Sequence, residues 1–242
     1  MDGADGWSDV AAEWSQLWGA FPRSVHEAII RDTGIRVDSR VLDAGCGSGE
    51  FLRTLVGVGA MARGVDPAPG MVALAGLDAH LGDFDALPWP DATFDVVTAI
   101  NALQFADDSL AALAEARRVT RPGGFIAVAN WAESARNDLD VIEHAVAAYW
   151  GDEVTPDGDL RREGGLEQLF ADAGLVLTVS RVIVLPWEVR DEATLVRGVL
   201  LGEDAETQAA LTDTVVAAAE RFRVGEGFVL RNAFRLAVGR SE

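Results

Sequence analysis

The sequence contains no lysine. All 20 of its basic residues are arginine, set against 39 aspartates and glutamates, for a formal net charge of -19. Proteins that bind nucleic acid neutralise phosphates with basic side chains. So acidic a chain argues against nucleic acid and anionic membrane as partners. Cysteine is nearly absent as well. Cys46 stands alone, so no intrachain disulfide can form, and a reducing cytoplasm is the expected location. No apolar run approaches the ~18 residues that a membrane-spanning helix needs. The start, MDGADGWSDV, has two acids in its first five residues and no basic segment, and does not read as a signal peptide. There are three histidines, His26, His80 and His144, and no His/Asp/Glu cluster has metal-ligand spacing. No metal is expected. Tyrosine occurs once, at Tyr149, whereas tryptophan occurs seven times.

What is present is an ordinary globular composition: 242 residues, 49% hydrophobic and 24% charged. That length suits a single α/β domain with insertions. Residues from Ser8 to about Gly34 read as helical, with Trp14, Leu17, Trp18 and Phe21 near helical spacing. Strands are expected at Arg40–Asp43, Ala62–Val65, Ala79–Leu81, Phe94–Ile100 and Phe125–Asn130, with helices at Glu50–Val56, Pro69–Leu77 and Ser109–Val119 between them. The segment Arg121–Gly124, RPGG, reads as the stop after the last of these helices. The runs FDVVTAI and FIAVAN are apolar throughout, which fits strands covered on both faces in a parallel sheet. Further on, helices are expected at Asn137–Trp150, Gly164–Ala173, Ala193–Leu201 and Glu206–Phe222, and strands at Val176–Trp187 and Phe228–Val238. The chain thus divides into N-terminal cap helices (1–36), a core (37–131) and two cap insertions (132–163 and 190–226), all within one domain spanning 1–242.

The stretch VLDAGCGSGE, residues 41–50, joins the first strand to its helix. Gly45 allows a positive φ in the turn, and Gly47 allows a ligand to approach the backbone. Asp66 follows Gly47 by 19 residues, at the end of the next strand, where an acid accepts ribose hydroxyls. A dinucleotide fingerprint has a third glycine where this chain has Glu50. Asp43, just before the loop, is poor company for a pyrophosphate and good company for an ammonium. The ligand should carry a ribose and a cation and no phosphate.

LDAGCGSG resembles the signature of class I S-adenosylmethionine-dependent methyltransferases. The resemblance continues in order through GVDPAPGMV (64–72), GDFDALPWPDATFDVV (82–97), NALQF (101–105) and EARRVTRPGGFIAVANW (115–131). NAFRLAVGR (232–240) looks like the last strand of small-molecule members, including the ubiquinone/menaquinone and natural-product types. The resemblance implies a Rossmann-like, doubly wound, seven-stranded α/β sheet, mostly parallel, with one antiparallel strand near the C-terminus. It implies S-adenosylmethionine as cofactor and S-adenosylhomocysteine as product. By it, Asp43 and the backbone of Gly45, Cys46 and Gly47 would hold the methionine end. Asp66 would take the ribose, and Pro67 and Met71 would lie near the adenine. Asp83 would accept from the adenine amino group, Phe84 would donate a backbone N–H, and Asn101 with Ala102 would face the methionyl group.

NALQF departs from the Asn/Asp-Pro-Pro-Tyr pattern of enzymes that methylate exocyclic amino groups of nucleobases. With the acidic charge, this points to a small-molecule acceptor. If the acceptor must lose a proton, His144 and His26 are the candidate bases, because both lie on cap elements. His80 reads as structural. Trp14, Trp18, Gln104, Trp131, Trp150 and Trp187 lie in segments expected at the C-terminal edge of the sheet, where open α/β folds bind ligands. Each tryptophan alone is equally at home in a core. Together they suggest an apolar pocket. The expected activity is methyl transfer to a small hydrophobic or aromatic acceptor in natural-product metabolism, by a monomer or homodimer. A quinone- or sterol-type C-methyltransferase, and a protein that binds the cofactor without methylating, remain alternatives.

Overall fold

The structure, a computed structural model, describes residues 3–242. Two helices, α1 (Gly3–Leu17) and α2 (Arg23–Thr33), open the chain. The core then alternates β1 (Arg40–Ala44), α3 (Glu50–Val58), β2 (Met61–Asp66), α4 (Pro69–Ala75), β3 (Ala79–Leu81), β4 (Phe94–Ile100), α5 (Ser109–Val119) and β5 (Thr120–Trp131). After it come α6 (Asp138–Trp150), α7 (Gly165–Asp172), β6 (Val176–Val189), α8 (Glu192–Val199), α9 (Ala205–Ala219), β7 (Arg223–Val224) and β8 (Gly227–Arg240).

The sheet runs β3-β2-β1-β4-β5-β8-β6, with β7 paired to β8. Strands β1 to β5 are parallel to one another, and β8 is antiparallel to both β5 and β6. The strand order reverses at β1, which lies between β2 and β4. That reversal opens a crevice beyond the strands' carboxyl ends. Burial follows the pleat. Leu42, Val97 and Val128 face the cluster that includes Phe170 and Leu113, while Val41, Val96 and Ala127 face the one that includes Ile29 and Leu55. Covered on both sides, these strands need no polar face, which is why their sequence is apolar throughout.

Three expectations are corrected. The N-terminal helix starts at Gly3, and it is two helices. Residues 18–22 turn between them, and Pro22 caps α2 where its missing N–H costs nothing. The sheet has an eighth strand, β7, a two-residue element that turns back on the start of β8 through Gly225 at φ 65°. Two residues carry no periodicity to read. Finally, RPGG lies inside β5 and not before it. The extra residues are absorbed by a register shift opposite Phe94 and Val96.

The segment after β5 is tied to the sheet by buried polar groups. Asn137 Nδ2 donates to Ala132 O and Glu133 O at 2.9 Å each, and its Oδ1 accepts from Ala233 N at 2.8 Å. Arg161 donates to Asp140 at 2.8 Å, and Arg235 to Glu133 at 2.6 Å. A third apolar cluster joins α1, α6, α8, α9 and the ends of β6 and β8 through Trp18, Ile142, Trp187, Leu195, Val215 and Phe228. No described helix is long and apolar enough to cross a membrane.

Candidate active site

One cleft opens at the crevice beside β1. Its floor is the glycine loop. Gly45 N and Cys46 N both donate to Val65 O, at 2.8 and 3.0 Å, so the loop folds over the end of β2. Gly45 sits at φ 73°, and a Cβ there would lie 2.3 Å from Ala102 Cβ. Gly47, at φ 52°, differs: a Cβ on it would meet nothing within 4 Å. Its glycine leaves open surface at the cleft. Gly47 N donates to Asp66 Oδ2 and Ala68 N to Asp66 Oδ1, each at 2.9 Å. The N–H groups of Gly45, Cys46 and Gly47 are therefore all engaged within the chain. A ligand would meet this loop through its open surface and its carbonyls.

Three acids surround the loop. Asp43 is 3% exposed and accepts from Thr98 Oγ1 at 2.8 Å through Oδ1. Burial raises its pKa to about 7; the Thr98 hydrogen bond opposes that rise, and the nearby Asp66 and Glu50 charges add to it. A carboxyl held this way gains most from an incoming cation. Burial also pushes Asp66 up, against the two backbone N–H groups that hold it. Glu50 accepts from Ser48 and from Ser15 of α1, each at 2.8 Å, so it ties the N-terminal helix to the loop. Cys46 packs its sulfur beside Gly64, and burial above all, with the neighbouring acids, pushes its thiol well up. It stays protonated and is no nucleophile.

Further along the same cleft lie Pro67, Met71, Asp83 and Phe84, then Asn101 and Ala102. Asp83 caps the short turn Phe84–Ala86 by accepting from Asp85 N at 3.3 Å. Asn101 takes φ 52°, a conformation costly for most side chains and tolerated by asparagine. Gln104 holds it there, donating Nε2 to Asn101 Oδ1 and O at 2.8 and 3.1 Å. Gln104 itself is exposed and does not line the cleft.

The opposite end is aromatic. Trp7 meets Trp14 edge-on at 5.2 Å and Phe105 at 5.6 Å, and Trp14 stacks on Trp18 at 6.1 Å. Trp18 meets Phe21 and Trp131, which stack on one another at 5.3 Å. Trp187 stacks behind Trp18 at 4.1 Å, buried and outside the lining. Both indoles are anchored: Trp18 Nε1 donates to Gly198 O at 3.1 Å and Trp187 Nε1 to Leu17 O at 3.2 Å. His26 also lines the cleft, 5% exposed, with its ring 4.7 Å from that of Phe51. Burial, reinforced by the Arg23 charge, lowers its pKa to about 4. It is neutral at pH 7.

The site residues expected from sequence thus divide. Asp43 through Ala102 come together, with Trp14, Trp18, Trp131 and His26. His144, Trp150, Trp187 and Gln104 do not line the cleft. His144 falls on the exposed face of α6, whose turn buries Leu139 and Ile142 instead. Trp150, at the end of that helix, is 54% exposed and packs edge-on against Tyr149. His80 is exposed and pairs with Asp78 at 2.7 Å. Trp7, Phe105 and Glu50 line the cleft without having been expected there. Trp7 precedes Trp14 by seven residues, two helical turns, but lies one residue before the helix start expected at Ser8.

Residues 42–128 match the family described as "Methyltransferase domain". Over that stretch the chain has the sequence of a methyltransferase domain. A malonyl-[acyl-carrier protein] O-methyltransferase of Serratia marcescens is 37% identical over 143 residues, 54% of this chain and 55% of that protein. A sterol 24-C-methyltransferase of Gibberella zeae is 33% identical over 153 residues, 54% of this chain and 40% of that protein. The chain thus spans about half of the curated relatives it matches, or less. In three dimensions the methyltransferase domain and its flanking elements resemble the YcgJ protein of Bacillus subtilis, with TM-score 0.64 at 18% identity over 91% of this chain and 99% of that one. That likeness is one of fold. The family match holds the whole glycine loop and stops short of Trp131. Trp7, Trp14, Trp18 and His26 also lie outside it.

Proposed function

We propose that the protein is an S-adenosylmethionine-dependent methyltransferase acting on a small hydrophobic or aromatic acceptor, in a tailoring step of natural-product metabolism. The observation that carries this reading is continuity: the acidic glycine-loop site and the tryptophan wall line one cleft. When bound, the cofactor supplies a methyl group already activated on a sulfonium, so the chain's task is chiefly positioning. Asp43, buried and without a cation of its own, is suited to the cofactor's ammonium. Asp66 uses one lone pair of each oxygen on backbone N–H groups and keeps others for ribose hydroxyls. Pro67 and Met71 are assigned to the adenine, with Asp83 and the Phe84 N–H at its edge. The open surface at Gly47 and the Asn101 carbonyl are assigned to the methionyl part, with Gly45, Cys46 and Ala102 shaping the wall. The tryptophans exclude water from the acceptor.

Similarity to a sterol 24-C-methyltransferase favours a second reading, methyl transfer to carbon of a quinone- or sterol-type acceptor. Calorimetry with S-adenosylhomocysteine, followed by turnover with methyl-labelled cofactor and a panel of hydrophobic acceptors, tests both. Binding together with label appearing on oxygen supports the first reading, and label on carbon the second. Tight binding with no label transferred to any acceptor would leave a cofactor-binding protein that does not methylate. No binding at all would sink the cofactor assignment.

A further inference from the structure

The walls of the cleft carry an unbalanced charge. Asp43, Glu50, Asp66 and Asp83 line it, and among the described residues no arginine does. The chain has no lysine to supply a cation instead. An acceptor bearing a carboxylate or phosphate would enter a partly buried space with no partner for its charge and four like charges nearby, a strongly unfavourable arrangement. An ammonium acceptor is disfavoured on other grounds. A protonated amine has no lone pair to attack with, and the methyl donor is itself a cation.

The aromatic end adds shape and one polar group. The rings of Trp14, Trp18, Phe21 and Trp131, stacked in pairs, line it. His26, 5% exposed, lines the same cleft with its ring beside Phe51, and no hydrogen bond joins that ring to another described side chain or backbone group. A ring nitrogen that borders the cleft without a protein partner is open to a ligand's hydroxyl.

Resting on the methyltransferase reading above, we propose that the acceptor is an uncharged, planar aromatic hydroxyl compound whose hydroxyl hydrogen-bonds to the imidazole of His26. The imidazole stays neutral near pH 7, so one ring nitrogen is free to accept that bond. His26 then orients the hydroxyl; the ring need not carry the proton away.

The test uses 2-naphthol and 2-naphthoate as probes, matched in shape and opposed in charge. Binding of each to the S-adenosylhomocysteine-loaded protein is followed by tryptophan fluorescence and calorimetry. 2-Naphthol is expected to bind at least about tenfold more tightly than 2-naphthoate. His26→Leu should weaken 2-naphthol by about tenfold, the range of one lost hydrogen bond. His26→Gln, which keeps an acceptor, should restore most of that loss. S-adenosylhomocysteine affinity should be the same in all three proteins, which also reports that the variants fold. Equal or tighter binding of 2-naphthoate overturns the proposal, as does a failure of both probes to bind or a His26→Leu variant that binds 2-naphthol like the parent. A protein that binds 2-naphthol through His26 but not S-adenosylhomocysteine would break the methyltransferase reading and leave a site for an aromatic hydroxyl compound that is not a methyl acceptor.

Discussion

The two ends of the cleft hold their shape by different means. At the glycine loop, short hydrogen bonds fix backbone to backbone and backbone to carboxylate: Gly45 and Cys46 to Val65, Gly47 and Ala68 to Asp66. At the aromatic end, flat side chains from α1, the turn at 18–22, β5 and β8 lean on one another, with two indole N–H groups pinned to distant carbonyls. The first end is made within residues 43–84 and 101–102. The second gathers Trp7, Trp18, Trp131 and Phe234, which are far apart in the chain. A backbone-built site preserves its ligand while surface side chains change. A wall of side chains can alter its acceptor one residue at a time. The family match agrees with that division, since it contains the loop and, of the aromatic wall, only Phe105.

If the two ends are separate devices, damage to one should leave the other's binding intact. The largest expected effect is Trp18→Ala. Trp18 is 6% exposed, stacks on Trp187 and bonds Gly198 O, so its loss should cost ~3–5 kcal/mol of stability in urea unfolding. The folded fraction should keep its S-adenosylhomocysteine affinity; a large loss would show that the wall also shapes the cofactor site. Asp66→Ala comes next. It removes a charge-assisted acceptor, and S-adenosylhomocysteine should bind ~1–3 kcal/mol more weakly by calorimetry. Unchanged affinity would remove Asp66 from the site.

A pH series probes Asp43. Its carboxyl must lose its proton to hold an ammonium, and its pKa stands at about 7. Affinity should therefore fall by about tenfold between pH 8 and pH 6 and level off above pH 8. Stability of the cofactor-free protein should run the other way. The folded state holds this proton more tightly than the unfolded chain, so the contribution is full below the ordinary carboxyl value and is lost as pH rises through about 7. Asp43→Asn should abolish both trends. The smallest effect is expected from His144→Ala. The residue is exposed and away from the cleft, so turnover should match the parent and stability should move by less than ~0.5 kcal/mol. A marked fall in turnover would bring α6 into the acceptor site and redraw the division.

The legible part of the site was local. Asp43, Gly45, Gly47 and Asp66 lie at strand ends, and strand ends follow from apolar runs interrupted by glycine. Helix phase was harder to read. His144 and Trp150 belong to the expected helix, yet the face of α6 that turns inward carries Leu139 and Ile142. A weakly amphipathic helix does not announce which side packs. Trp187 was expected in the pocket and instead backs Trp18, because Gly198 leaves room: a Cβ there would lie 2.5 Å from the Trp187 ring. Gln104 was expected to meet substrate and instead holds Asn101 in its positive φ.

By itself the sequence determined the buried parallel strands and the acidic, glycine-lined seat after the first of them, because each depends on residues close together in the chain and on backbone rules that hold everywhere. Only the tertiary structure decided which tryptophans form the wall, that Glu50 is bound to α1 through Ser15, and that His26 rather than His144 faces the cleft. Those outcomes depend on how helices rotate and stack over the sheet, and that is settled by packing between segments distant in sequence.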